Sequence, residues 1–420
     1  MKDILNIKYE KFVLKNGLEV ILYNNKNFPT VAVNVWYKVG SANEKPNKTG
    51  FAHLFEHMMF QGSKHIAKEM HFKFIQEAGG SLNGSTSMDR TNYYETLPSD
   101  SLELALWLES DRMGFLLPAL TQAKLDNQKD VVMNERRQNY DNQPYGLAWE
   151  ILFSNLFPSN HPYHWPTIGW MKDIENFNLN DVNEFFRDYY SPNNASLVIG
   201  GNFKKAEAKE LVKKYFEEIK NGNKIKPVIT NEINLKESKK IIHKDNVQLN
   251  RVYFAWHSDK GYGNDDAALD ILADILAGSK NSRLYKKLVH EMQIAQDVSA
   301  FQYSAKYNGV FFIIISLAKN VETENVKEHL LEEIKKVVKK GITKKELERA
   351  LNGYKSSYIY SLQNLDNLVN QINNYNCNLN EPNSFLYDLN RYNKLELNDI
   401  TWVAEKYLMK NFIELDIIPK

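Results

Sequence analysis

Short runs of apolar and β-branched residues open the chain and predict β-strands. Residues 10–14 and 18–23 flank Asn16-Gly17, a dipeptide typical of tight hairpin turns. A third segment, residues 31–39, alternates between apolar and polar positions. The pattern therefore predicts an N-terminal hairpin followed by a further strand.

Helical spacing of apolar residues takes over further along the chain. It predicts helices over residues 65–78, 99–117 and 121–140, with an extended stretch from Leu82 to Thr96 between the first two. The apolar run at residues 310–315 is too short to cross a bilayer and predicts a buried strand.

The chain repeats itself at a nearly constant interval. Two short matches have the same offset, and the offset of a third is almost equal to it. The matching pieces are Leu179-Asn180-Asp181 with Leu397-Asn398-Asp399, Asn193 with Asn411, and Gly62-Ser63-Lys64 with Gly278-Ser279-Lys280. Chance and shared composition are the alternative explanation, but the agreement of the three offsets favours a duplication.

A charged stretch that is poor in apolar residues separates the two copies. Residues 221–240 contain this stretch and predict a linker between a domain at residues 1–220 and a homologous domain at residues 241–420. The predicted fold class is α+β, with two homologous halves, each a largely antiparallel sheet packed with helices.

Composition narrows the class of protein. The 53 Lys and Arg residues nearly balance the 52 Asp and Glu residues, so no bulk positive charge indicates a nucleic-acid binder. No apolar run reaches transmembrane length, which predicts no membrane span. The single cysteine, Cys377, excludes an intrachain disulfide. Because the N-terminus has no apolar signal core, we expect a cytoplasmic protein, or a periplasmic one if a signal peptide has been removed.

The candidate chemistry lies in His53-Leu54-Phe55-Glu56-His57. On a helix, His57 lies about 40° from His53 and Glu56 about 60° to the other side. Two histidines four residues apart can hold one metal ion, and a carboxylate between them can reach a water on that ion. This is the H-x-x-E-H pattern, the order-reversed zinc-protease signature. The bland alternative is a surface helix that carries two histidines by chance.

A third ligand would have to come from elsewhere in the chain. Glu135 is the candidate, because Val131 and Val132 place it at the border of an apolar helical face, where a carboxylate usually needs a partner. The alternative is a solvated glutamate that pairs with a neighbouring arginine or lysine.

The sequence resembles the pitrilysin-type inverzincins, in the branch of the mitochondrial processing peptidase and its bacterial relatives. The resemblance runs nearly end to end. The motifs that carry it are Thr49-Gly50-Phe51-Ala52-His53-Leu54-Phe55-Glu56-His57-Met58, Gly79-Gly80-Ser81-Leu82-Asn83-Gly84, Asp130-Val131-Val132-Met133-Asn134-Glu135-Arg136-Arg137, His161-Pro162-Tyr163, Tyr190-Ser191-Pro192-Asn193-Asn194-Ala195 and Ser282-Arg283-Leu284-Tyr285.

This resemblance implies a role for each candidate residue. His53, His57 and Glu135 would bind one Zn²⁺ per chain, and Glu56 would be the general base. Gln128, two helical turns before Glu135, stands where several relatives carry a glutamate behind the metal ligands.

The resemblance also implies a place for the substrate. Six residues in a row, Ser81, Leu82, Asn83, Gly84, Ser85 and Thr86, are similar to the exposed edge strand that pairs with the substrate backbone in this family. Main-chain hydrogen bonds would hold an extended peptide there. The alternative is an ordinary edge strand.

The second half departs from the family pattern. His53, Glu56 and His57 have Leu269, Leu272 and Ala273 opposite them in the register of the repeat, so we expect no metal ligands in this half. Self-sufficient relatives carry an Arg and a Tyr seven residues apart in this half, where this chain has Val289 and Gln296. Valine cannot donate a hydrogen bond, and glutamine is a weaker oxyanion donor than a phenol.

Together these features predict a zinc-dependent endopeptidase that cleaves peptides or unfolded protein segments. The presence of Val289 and Gln296 in place of the Arg and the Tyr predicts that the chain is the zinc-carrying subunit of a heterodimer. A homologous zinc-less partner would supply the Arg and the Tyr. The alternatives are a non-catalytic core or scaffold subunit and a zinc-stabilised peptide-binding module.

Overall fold

The computed structural model describes residues 5–225, 227–230 and 233–420, which form two compact units. The first unit comprises the chain up to Arg136, Trp165–Ile229 and Tyr358–Tyr387. The second comprises Arg137–His164, Thr230–Ser357 and Asp388–Lys420. Among the described residues, no helix combines the length and the apolar character that a membrane span requires.

The first unit is built on a six-stranded sheet. Its strands, in chain order, are β1 (Glu10–Val13), β2 (Glu19–Asn24), β3 (Thr30–Tyr37), β4 (Ser81–Thr86), β5 (Thr91–Pro98) and β6 (Ala195–Gly201). The spatial order is β1-β2-β6-β3-β5-β4, and every pair is antiparallel except β2 with β6.

Helices surround this sheet. They are α1 (Phe51–Met58), α2 (Met70–Glu77), α3 (Leu102–Phe115), α4 (Gln122–Arg136), α6 (Met171–Glu175), α7 (Leu179–Tyr189), α8 (Lys205–Phe216) and, from far along the chain, α12 (Leu365–Leu379); α5 (Ala148–Leu156) belongs to the second unit. The predicted helix at 65–78 begins later, at Met70, and the one at 121–140 passes into a π-helical turn after Arg136.

The second unit repeats this plan with five strands. They are β7 (Lys239–Asp245), β8 (Arg251–Ser258), β9 (Ala295–Ser304), β10 (Gly309–Leu317) and β11 (Ile413–Pro419). The spatial order is β7-β11-β8-β10-β9, again with one parallel pair, β7 with β11. Residues 310–315 lie in β10, an interior strand of this sheet, and all but Ile314 are buried, as predicted.

Helices also pack on the sheet of the second unit, which includes the π-helical turn Arg137–Asp141. They are α5, α9 (Asp266–Ala277), α10 (Thr323–Lys340), α14 (Leu397–Val403), the π-helical turns Tyr285–Glu291 and Ala404–Leu408, and parts of α11 (Lys344–Ser361) and α13 (Phe385–Asn393), within which the division between the units falls. Helix α9 carries Leu269, Leu272 and Ala273, all buried in an apolar core.

The two sheets confirm the predicted fold class. Strand order matches from β2-β6-β3-β5-β4 to β7-β11-β8-β10-β9, with the parallel pair at the same place. Strands β6 and β11 begin at Ala195 and Ile413, each two positions after one of the matched asparagines, Asn193 and Asn411. Each half is therefore a largely antiparallel sheet packed with helices.

The units differ from the predicted division into 1–220, 221–240 and 241–420. The main change of unit, between Ile229 and Thr230, does fall within the predicted linker, but two segments belong to the other unit: 137–164 and 358–387. In the linker, the described residues before β7 form no helix or strand, and residues 226, 231 and 232 lie outside the described residues.

Candidate metal centre

Helix α1 presents the H-x-x-E-H residues because its apolar residues follow the helical repeat. Phe51, Leu54, Phe55 and Met58 are buried, which leaves His53, Glu56 and His57 half-buried on the remaining arc. The predicted geometry of the motif thus arises from an ordinary amphipathic helix.

The start of α1 is fixed by a carboxylate that lies outside the helix. The backbone amides of Gly50 and Ala52 donate to the two oxygens of Glu44, at 2.9 and 2.7 Å, and the Trp165 indole donates to the same group at 2.9 Å. Burial raises the pKa of Glu44 to about 8, against the opposing bonds from the backbone. An acceptor at this position satisfies amides that have no partner within the helix.

Helix α4 brings Glu135 to the same place. Its Oε1 lies 3.7 Å from His53 Nε2, and its Oε2 lies 3.4 Å from His57 Nε2. One candidate ligand atom from each of the three residues lies within 4.8 Å of the others. The structure therefore brings together three side chains from two helices that are far apart in sequence.

The environments of His53 and Glu135 favour the protonation states that suit a zinc ion. Burial, and then the neighbouring His57, lowers the pKa of His53 to about 4, so its imidazole is neutral at neutral pH. A hydrogen bond from His57 is the main cause that lowers the pKa of Glu135. Neutral imidazole nitrogens and a carboxylate are typical zinc donors, so these residues fit the metal that the motif predicts.

Glu56 lies beside this group and has a different environment. Its Oε2 accepts a hydrogen bond from Thr86 Oγ1 at 2.5 Å. Burial raises its pKa, against the opposing effect of the Thr86 bond. A Cβ on Gly84 would lie 3.1 Å from Glu56 Cγ, so the glycine lets β4 approach this side chain closely.

The six residues predicted to bind substrate, Ser81 to Thr86, form β4 at the edge of the sheet. Strand β4 pairs with β5 in the register Gly84↔Tyr93, and no described strand pairs with its other side. The sequence predicts Thr86 only as a member of this strand. Its contact with Glu56 does not follow from the sequence, because the helical spacing of the motif does not indicate which hydroxyl faces Glu56.

The remaining predicted residues lie further from this group of ligands or in the other unit. Gln128 is buried on α4, and its amide donates to Asn127 Oδ1 at 3.0 Å. Val289, in the second unit, packs partly buried against the apolar core of that unit, whereas Gln296 is exposed on β9.

A second group of possible ligands, His71, Glu95 and Glu109, is fully buried in the first unit. Arg112 occupies this group: its Nε donates to Glu109 at 3.0 Å, and its guanidinium lies 4.2 Å from the centre of the Tyr93 ring. Burial raises the pKa of Glu95. A buried ion pair accounts for this arrangement without a metal.

Comparison with known proteins agrees with the geometry. A sequence model of the family described as Insulinase (Peptidase family M16) matches residues 19–162, and one described as Peptidase M16 inactive domain matches residues 176–354. A protein named zinc protease PqqE, from Helicobacter pylori, is 31% identical over 407 residues, which cover 95% of this chain and 90% of the relative. The chain belongs to peptidase family M16.

Two further comparisons extend over the whole of this M16 chain. The crystal structure of a protease from Helicobacter pylori has a TM-score of 0.92 and 30% identity, and covers 99% of this chain and 100% of that one. A probable mitochondrial-processing peptidase subunit beta from Arabidopsis thaliana is 22% identical and covers 96% of this chain and 77% of the relative. The family predicted from the motifs is therefore confirmed.

Proposed function

We propose that the chain is a zinc-dependent endopeptidase that acts on peptides or unfolded protein segments. The observation that carries this proposal is the convergence of His53, His57 and Glu135, with Glu56 beside them on α1. The names of relatives that are called zinc proteases support it.

Zinc held by the three ligands would polarise the scissile carbonyl and lower the pKa of a water to about 7. Glu56 would accept the proton of this water and return it to the leaving amine. Burial raises the pKa of Glu56, the direction expected of a carboxyl group that must donate a proton as well as accept one. The hydrogen bond from the Thr86 hydroxyl keeps the Glu56 carboxylate turned toward β4.

Strand β4 would bind the substrate as an additional strand. Its outer backbone donors and acceptors run past Glu56 from Ser81 to Thr86, and side chains of a peptide in this position would alternate between the two faces of the sheet. Because backbone bonding is independent of side chains, this mode of binding suits extended segments of varied sequence.

We propose further that the chain works as the zinc-carrying subunit of a heterodimer. Two observations support this: Val289 and Gln296 replace the expected Arg and Tyr, and one relative is named as a subunit of a processing peptidase. The partner would be homologous, would lack the zinc ligands, and would supply the Arg and the Tyr.

A non-catalytic scaffold is the second candidate, because a model described as an inactive domain matches residues 176–354. Metal analysis of the purified chain, with a quenched-peptide assay in the presence and absence of a chelator, separates the possibilities. A peptidase binds zinc and loses cleavage with the chelator. A peptide-binding module binds zinc and peptide without cleavage, and a scaffold does neither.

A further inference from the structure

The two helices that carry the proposed ligands, α1 and α4, pack against each other, and a third segment contacts both. The segment Trp165–Phe177 contacts both, and we call it the brace. On the α1 side, Asp173 Oδ2 accepts hydrogen bonds from the backbone amide and the hydroxyl of Thr49, at 3.1 and 2.7 Å. The Trp165 indole bonds the same Glu44 carboxylate that caps α1.

The closest approach of the brace to α1 involves two glycines. Gly50 and Gly169 both have positive φ values, 87° and 80°, and a Cβ on Gly169 would lie 2.3 Å from Gly50 Cα. The backbone of the brace lies directly against the start of the helix that carries His53 and His57, which leaves no space for a side chain at either glycine.

On the α4 side, two basic side chains bond the backbone of the brace. Arg136 Nη1 donates to Gly169 O at 2.7 Å, and Lys129 Nζ donates to Phe177 O at 3.2 Å. Gly169 therefore connects the two helices: its Cα lies against Gly50, and its carbonyl accepts from Arg136.

Arg136 has a special place on its helix. It directly follows Glu135, the whole residue is only 6% exposed, and it is the last residue of α4 before the π-helical turn Arg137–Asp141. The helix continues past Arg136 into this turn, so its hydrogen-bonding pattern changes directly after Glu135. The bond from Arg136 to Gly169 holds the helix against the brace at that point.

We propose that Arg136 is a positioning residue of the metal centre. By bonding Gly169 O, its guanidinium fixes the last turn of α4 against the brace, and thereby fixes the Glu135 carboxylate relative to His53 and His57. This inference rests on the proposed function, because it assumes that these three residues bind zinc.

The test compares Arg136→Ala with Lys129→Ala. Each change removes a hydrogen bond from α4 to the brace, and Arg136→Ala also removes the contact of the guanidinium with Trp170, at 5.9 Å from the ring centre. Lys129 lies nearly two turns before Glu135. We expect the zinc-loaded Arg136→Ala chain to lose its metal to an excess of chelator about 10-fold faster than the unaltered chain, the lower end for residues that support ligands. The Lys129→Ala chain should lose zinc at the unaltered rate. The visible spectrum of the Co²⁺-loaded chain should change in Arg136→Ala alone.

A conservative variant separates positioning from folding. Arg136→Lys retains a donor for the Gly169 carbonyl and should recover part of the slow metal release, and it serves as the test if Arg136→Ala does not fold. Equal rates of metal release in Arg136→Ala and Lys129→Ala, or in Arg136→Lys and the unaltered chain, would overturn the inference. An unaltered chain that binds no zinc would overturn the proposed function itself, before any variant is compared.

Discussion

At the scale of single residues, the environments of two carboxylates favour the different tasks proposed for them. The pKa of Glu56 is raised by burial, and that of Glu135 is lowered mainly by the His57 hydrogen bond. One group is suited to exchange a proton and the other to remain an anionic ligand, a division that environment commonly imposes on paired carboxylates.

Replacement of Glu56 tests the first of these tasks. We expect Glu56→Gln to retain near-stoichiometric zinc, because Glu56 is not one of the three convergent residues. Turnover should fall by about 10²–10⁴-fold, the usual loss when a general base is removed. Metal content by atomic spectroscopy and initial rates on a quenched peptide give the two readings. Loss of zinc, or wild-type rates, would show that the role is misassigned.

Replacement of Glu135 tests the second. Glu135→Gln removes the only carboxylate among the three ligands, so the variant should release zinc at a chelator concentration that the unaltered chain withstands. Metal retained after dialysis against graded chelator is the measurement. Unchanged retention would show that Glu135 is not a ligand of the metal.

The sequence predicted these residues unequally well. The H-x-x-E-H arc follows from helical geometry alone, and the bordering valines singled out Glu135. The roles of Thr86 and Glu44 did not follow, because their partners lie 30 and 6–8 residues away across a turn or a strand. No periodic pattern encodes such contacts.

At the scale of elements, α12 covers the sheet of the first unit although it is encoded near the end of the chain. Asn373 Nδ2 donates to Asn34 O at 3.0 Å, and the Trp36 indole donates to Asn370 at 3.0 Å. Gly200 on β6 leaves space for this packing, since a Cβ there would lie 2.3 Å from Val369 Cγ2. Hydrophobic periodicity predicts that a helix forms but not which sheet it packs on. The sequence therefore did not show that α12 packs on the sheet of the first unit.

A pair of alanine substitutions tests the packing of α12. Gly200→Ala should lower the free energy of unfolding by about 1–3 kcal/mol, because Val369 is buried and its branched side chain cannot easily move. Gly353→Ala, on α11 with nothing within 4 Å, should raise it by about 0.5–1 kcal/mol. Denaturant unfolding of both variants and of the unaltered chain measures these differences in the free energy of unfolding. A Gly200→Ala chain as stable as the original would mean that α12 packs less closely than described.

At the scale of the whole molecule, the three proposed zinc ligands lie in the first unit, and no comparable group of possible ligands occurs among the described residues of the second unit. We expect the purified chain to bind zinc yet to cleave peptides slowly, because each missing oxyanion donor lowers the rate by roughly 10²–10³-fold in known cases. Addition of a homologous, zinc-less subunit that carries the Arg and the Tyr should raise the rate steeply.

Two measurements accompany this expectation. Mutation of the partner's Arg or Tyr should remove this gain in rate. Size-exclusion chromatography should show that the complex still forms. Full activity from this chain as a demonstrated monomer or homodimer would contradict the heterodimer, and would mean that other residues do the work expected at positions 289 and 296.

The late position of α12 in the chain also sets the order of events during synthesis. Strands β1 to β6 and the residues of the metal centre leave the ribosome well before Leu365–Leu379, because most of the second unit is encoded between β6 and α12. At about 5–20 residues per second, synthesis of that intervening stretch lasts on the order of 10–30 s. During this time α12 is not yet available to pack on Trp36 and Asn34. The nascent first unit therefore exposes one face of its sheet, to which a chaperone can bind.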